Sequence, residues 1–433
     1  MLQNVRILSA TACRRKSLCL LLFFSTAIAC AHGDPISDER VAYTAAQRKL
    51  HDAAKKVRKD LNNGEKLASR VLTRFKSVMI PNGVSSNGPD FADFRTALRY
   101  TIFELSDPKI WNDTPELQKR KNAIDSLIRR AGSNIAQKRA KEKFRKLFCT
   151  EVHTALLELL DNNFIPRSVA VQLMSSLFIT DRDAPQNVRV LLRDGGETLV
   201  SVLEDENQPD SLKVGAVQSI MQFMERTDAG AQMEFDFVRA IAKELESPLT
   251  NTGYQVWLAN ALSMVKSARE PAGRQQSAAI GAAAFALQDK RRDPLVRCAA
   301  SNVIGRAGFD GNVNFDPLAW KIAQVAIDTG HAYNNRKDGQ EEMFANAGLW
   351  LFGAFHHFEE EDAGRKTPHG MLNRAARSET VNGAYQAILP IVKAICVDHV
   401  DVPAEALNAA QEWVTQNKPD NLTFDQASPP LTE

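Results

Sequence analysis

Apolar residues along this chain recur three and four positions apart, the period of amphipathic helices, which predicts an all-α fold. One long helix is expected from about 37 to 62, opened by Ser37 or Asp38 as N-cap, and a second from 65 to about 80. Residues 81–89, with Pro81, Gly83, Gly88 and Pro89, cannot hold a helix and form a loop. Periodicity resumes at 91–105 and stops at Ser106-Asp107-Pro108. It restarts at Thr114, read as a cap with Pro115 in the first turn. The stretch from 133 to 160 then carries Phe144, Leu147, Phe148, Val152, Leu156 and Leu159 on one apolar face.

From about residue 166 one pattern repeats. A helix at 167–180 is followed by helix pairs at 188–203 with 210–224, 235–245 with 253–265, and 274–287 with 293–305. Segments 316–327 with 340–358 and 381–397 with 404–414 extend the series. Val214 with Ala216, Val256 with Ala259, and Val296 with Ala299 and Ala300 mark successive copies about 40 residues apart, the spacing of an α-solenoid. An irregular helical bundle with short loops is the competing architecture, because it gives similar spacing.

The clearest copy, from Asp293 through Pro294, Val296, Arg297, Ala299 and Ala300 to Gly305, resembles the second helix of a HEAT repeat. Its physics is simple: Asp293 caps, Pro294 sits in the first turn, the alanines permit close helix contact, and Gly305 ends the helix. The resemblance spans 167–414 at its widest and 188–308 most clearly, and armadillo-like packing fits as well. It implies a surface that binds other molecules and rarely catalyses. The expected organisation is a signal peptide at 1–31, a basic non-repeating helical region at 38–165, the array at 166–415, and a disordered tail at 416–433 that contains Pro429-Pro430.

The beginning of the chain adds a compartment. Arg14, Arg15 and Lys16 precede the apolar run 18–28, and Ala29-Cys30-Ala31 fits a small-residue cleavage site before His32, so the protein is expected to be exported. In a second reading Cys30 becomes a lipidated first residue, the only route by which a membrane enters as partner. Cys149, Cys298 and Cys396 remain in apolar helical settings, which predicts buried thiols rather than a disulfide framework.

Charge divides the chain. The net is +2, yet residues 38–146 hold 25 Lys and Arg against 13 Asp and Glu, whereas residues 147–433 hold 25 against 38. Clusters at Lys55, Lys56, Arg58 and Lys59, and at Lys138, Arg139 and Lys141, suit an anionic surface or polymer, or else form solvated helix faces. Aromatic residues are not interleaved with these cations, so a nucleic-acid partner is not expected.

Motifs for serine hydrolases, zinc helices and nucleotide-binding loops are missing, so no catalytic residue, cofactor or metal ligand is assigned. Asp310, Asn312, Asn314 and Asp316 alternate as in a calcium loop. Phe315 and Lys321 stand where that loop needs Gly and Glu, and the expected role of Asp316 is to cap a helix from Pro317. His356 to Asp362 places two histidines before carboxylates; metal binding there competes with a helix end running into an acidic loop. Trp257, Trp320, Trp350 and Trp413 would be contact anchors if exposed. The expected function is an exported, non-enzymatic scaffold for a protein partner. The competing readings are a metal-dependent or otherwise unrecognised envelope enzyme, and a structural protein that binds anionic envelope polymers or lipid.

Overall fold

The computed structural model describes residues 55–63, 69–180, 189–227, 231–247, 251–265, 277–308, 313–356, 370–425 and 428–432. The expected signal peptide, Cys30 included, and the expected helix before residue 55 lie outside them. Fifteen principal helices are labelled here: α1 Ser69–Arg74, α2 Phe91–Phe103, α3 Thr114–Arg130, α4 Lys138–Leu160, α5 Phe164–Met174, α6 Arg193–Glu204, α7 Asp210–Arg226, α8 Ala231–Glu246, α9 Thr252–Ser263, α10 Ala278–Gln288, α11 Pro294–Arg306, α12 Phe315–Asn334, α13 Glu341–Phe355, α14 Glu379–Lys393 and α15 Ala404–Gln416. Among the described residues there is no sheet, only one antiparallel bridge between Phe178 and Leu191.

The chain is an all-α stack of helix pairs. Helices α5, α7, α9, α11 and α13 pack side by side in one layer, and α6, α8, α10, α12 and α14 in a second. Cross-layer contacts join α6 to α7, α8 to α9, α10 to α11 and α12 to α13, so each pair touches chiefly its neighbours. At one end α4 packs on α2 and α5; at the other α15 lies on α12 and α14. A single buried apolar cluster runs from Val57 to Leu431.

The repeat has a sharper register than its valines suggest. Caps at Pro209, Asn251 and Asp293 stand 42 residues apart, so Cys298, not Val296, occupies the place of Val214 and Val256. The fourth residue after the cap is Arg167 in α5, Lys213 in α7, Gln255 in α9 and Arg297 in α11, and all four are buried polar side chains. Each bridges a neighbouring pair. Arg167 donates to Gln208 at 2.9 Å, Lys213 to Glu244 at 3.1 Å, and Arg297 to Asp328 at 2.7 Å, while Gln255 accepts from Arg292 at 2.6 Å. Tyr254 adds a second donor to Glu244 at 2.8 Å. In α13 the equivalent residue is Phe344, which packs edge-on against Tyr333, and the polar series stops.

Several local expectations are corrected. Asp113 rather than Thr114 caps α3, and Asn314 rather than Asp316 caps α12, because each offers its oxygen to an amide in the following turn. Gly305 does not end α11. It lies inside the helix, where a Cβ would stand 2.2 Å from the Ala354 carbonyl oxygen, so its role is close approach to α13. Helix α6 begins at Arg193, because Ile179 N–H donates to Val190 O and Leu192 N–H to Leu177 O, drawing the preceding residues into an extended clip. In the tail expected to be disordered, two described residues are anchored in the core: Phe424 and Leu431 are each 3 % exposed. Two apolar anchors outweigh the prolines there.

The 20 residues of α14 and the wider turn Ala394–Asp398 contain an 18-residue window of mean hydropathy 1.3, enough in length and composition to cross a membrane. Its stripe of Val381, Ala384, Ile388 and Ile391 is already covered by α12, α13 and α15.

The polar series has a measurable consequence. Lys213→Ala strands the Glu244 carboxylate in a nearly buried site and is expected to cost about 3 kcal/mol in urea unfolding, the range for breaking a buried pair. Lys213→Met combined with Glu244→Leu is expected to recover most of that loss. Equal instability of the single and double variants would show that packing, not charge pairing, governs this position.

Candidate functional site

A constellation of buried polar groups lies against an accessible pocket where α10 turns into α11. The turn reads Asp289-Lys290-Arg291-Arg292 before the Asp293 cap. Asp289 accepts from the Arg291 amide at 3.2 Å and from its guanidinium at 2.9 and 3.1 Å, and this Arg291 hydrogen bonding holds the carboxyl below its usual range against the opposing effect of burial. Arg292 folds inward, bonding Gln255 and the Ser247 carbonyl and lying 5.4 Å from the Phe285 ring. Arg297 reaches back from α11 to the Leu287 carbonyl at 3.0 Å and across to Asp328. Its Nη2 is buried without a hydrogen-bond partner among the described residues.

Helix α12 contributes Lys321, whose exposure is 0 %. The ammonium donates to the Thr432 carbonyl at 2.9 Å and sits 5.7 Å from the Trp320 ring. Burial, reinforced by Lys290 and Arg297 and opposed by Asp328, pulls its pKa down to about 8.

Residues 417–425 and 428–432 form a strap from the end of α15 across these groups. Leu431 N–H donates to Leu422 O at 3.0 Å, closing the strap on itself, and Asn314 N–H donates to Phe424 O at 2.8 Å. Thr432 gives its amide and hydroxyl to Gln288 Oε1 at 2.9 and 3.2 Å. A pocket of about 310 Å³ is lined by Phe285, Gln288, Asp289, Lys290, Arg291 and Thr432.

Other positions named from the sequence fall elsewhere. His356 stacks on Phe352 with centroids 4.6 Å apart and lies 2.9 Å from the Tyr385 hydroxyl, so its ring is engaged in packing; residues 357–362 lie outside the described residues, as do 310–312. Among the described residues no group of three or more His, Cys, Asp and Glu side chains is arranged to hold a metal ion. Trp257 and Trp320 are buried, and Trp350 and Trp413 half-buried, so none of the four is an exposed anchor. Cys149 and Cys298 are buried and Cys396 half-buried, all three unpaired, and burial pushes each thiol up to about 12, which keeps it protonated and unreactive near neutrality.

The basic region is partly spent on itself. Arg99 pairs with Asp60 and Glu158, Arg95 with Glu151, and Arg120 with Glu104 and Glu116. Arg145 is 1 % exposed and ties the carbonyls of Arg129, Ala131 and Phe178 together. Arg139, Lys143 and Lys146 remain exposed along one face of α4 with no ion-pair partner among the described residues.

Lys321 gives this site a pH signature. Its folded pKa of about 8 lies below the ordinary 10.5, so between those values the unfolded chain holds more protons and stability contributed by this group rises with pH. The gain is about 3 kcal/mol across the window, and below pH 8 the folded state carries the buried charge. The stability difference between wild type and Lys321→Met, followed by urea unfolding from pH 7 to 10, is expected to shift toward wild type as pH rises. A difference that stays constant would assign Lys321 an ordinary pKa.

Comparison with known proteins finds no family model, no curated protein and no solved structure that matches this chain.

Proposed function

We propose that this chain is an exported, non-catalytic scaffold of HEAT- or armadillo-like type that holds a protein partner along its stacked helix pairs. The observation that carries the reading is the layering: successive pairs contact their neighbours in series, as in arrays that present an extended binding surface. The Asp293 cap, Pro294 in the first turn and buried Arg297 support the HEAT-like reading, and the cations before the apolar run 18–28 support export.

Cross-linking the full chain in its native envelope fraction, followed by pull-down, is expected to yield one reproducible protein partner. Intact mass of the mature chain is expected to place its first residue at His32, or at a lipid-modified Cys30. Recovery of the unprocessed chain in the cytoplasm would remove the exported part of the reading, and recovery without any partner would remove the scaffold part.

A second reading rests on the exposed face of Arg139, Lys143 and Lys146; Arg139 lies at the positive end of the α4 dipole, whose first turn carries no acidic residue to offset it. Such a face attracts an anionic polymer or lipid surface. Replacing all three with Glu is expected to reduce binding to vesicles containing phosphatidylglycerol by ten-fold or more at low salt. Unchanged binding would leave this face as ordinary solvated surface.

A further inference from the structure

We propose that a row of carboxamides, nine residues after the caps of α7, α9 and α11, is a docking track for an extended, uncharged segment of a partner protein held through its backbone. The proposal rests on the scaffold reading and gives it a location and a ligand chemistry.

The caps that set the buried polar series set a second one. The ninth residue after the cap is Gln172 in α5, Gln218 in α7, Asn260 in α9 and Asn302 in α11, a carboxamide each time. Five residues beyond the buried series is about 140° further round the helix, so this row turns away from the layer beneath. Gln172, Gln218 and Asn260 are half-buried, where Arg167, Lys213 and Gln255 are buried, and Asn302 is the deepest of the row at 7 % exposed. Gln172 accepts from the Lys121 ammonium of α3, so that rung is taken. Gln218, Asn260 and Asn302 make no side-chain hydrogen bond among the described residues. In α13 the ninth position is Leu349, 54 % exposed, and the row ends on an apolar side chain.

The ground around the row is uncharged. With the residues two, five and twelve after each cap it makes one stripe, and in α5, α7 and α9 no charged residue stands in that stripe, although 24 % of the chain is charged. A surface left to solvent has no reason to avoid charge. One that loses its water to a partner does, because a charge buried without a counterpart costs far more than a carboxamide.

The row matches a peptide backbone. A carboxamide sets an acceptor beside a donor, the complement of a peptide group. Packed helices stand about 8–10 Å apart and an extended chain advances about 3.3 Å per residue, so a strand lying across α7, α9 and α11 brings a peptide group to a rung at about every third residue. Three rungs span about seven residues. Backbone bonds of this kind give affinity without specifying side chains, and Leu349 beyond the last rung selects an apolar one. An anionic polymer or lipid headgroup finds no cation in the stripe to pair with.

The experiment uses the full chain and peptides selected on it from a displayed library of random twelve-residue sequences, then synthesised with a fluorescein label and read by anisotropy. Selected peptides are expected to be uncharged over their central residues. They are expected to lose about ten-fold or more in affinity for a chain carrying Gln218→Leu with Asn260→Leu, replacements of similar volume that remove the carboxamides. Methylating the peptide's central backbone nitrogens is expected to weaken binding to wild type by a similar factor and to leave binding to the double variant unchanged. Equal binding by wild type and double variant, or a selection that yields no peptide, would overturn the proposal.

If the double variant does not fold, hydrogen exchange on wild type decides. Saturating peptide is expected to slow exchange at residues 211–222 and 253–264, and an unchanged rate there would overturn the proposal. Capture of a cellular partner that survives the double substitution leaves the scaffold reading and removes this one. Peptide binding that depends on the two carboxamides, with no partner captured from the cell, keeps the track and removes the scaffold reading.

Discussion

The stack depends on one recurring constraint: a polar side chain four residues after the cap of α5, α7, α9 and α11 must reach the neighbouring pair. Apolar faces alone leave helix pairs free to slide, since burial is proportional to area and indifferent to register. A buried donor or acceptor is not indifferent, because leaving it unpaired forfeits the whole desolvation cost. Lys213 with Glu244, and Gln255 with Arg292, therefore fix where one pair sits on the next. Register by polar pairing and cohesion by apolar area are separate contributions, and the array uses both.

Close approach supplies the second half of the packing. Between α11 and α13, Gly305 faces the Ala354 backbone while Gly353 faces Asn302, where a Cβ would stand 2.7 Å from the amide oxygen. A glycine on each helix leaves the room that the facing backbone or Asn302 fills, and the stack is tight where the repeat pattern was strongest. At Gly348 the same economy admits Cys396, whose sulfur a Cβ would meet at 2.3 Å. That contact ties the turn after α14 to α13, so the last apolar helix is held by shape as well as by burial.

What was legible in the sequence follows from this division. Helix pairs were readable because period and caps are local, and Asp293 with Pro294 stands where the pattern placed them. The role of Gly305 was not, since glycine reads as a stop unless the facing backbone is known. Val296 was matched to Val214 because residue type was aligned; the cap spacing, also present in the sequence, gives the true register and would have exposed the Lys213, Gln255 and Arg297 series. For the strap, Pro429-Pro430 spoke for disorder while Phe424 and Leu431 spoke against it. Only a distant surface able to receive them decides that contest. Lys321 carried the one local signal of the candidate site, a lysine between Trp320 and Ile322 in a helix otherwise apolar on nearly every side.

Stability alone does not account for that lysine. A methionine would fill the same space at 321 without desolvating an ammonium, and replacing buried charge by apolar volume is commonly neutral or favourable. The cost is raised by Lys290 and Arg297, and the neutral Thr432 carbonyl offsets less of it than a carboxylate would.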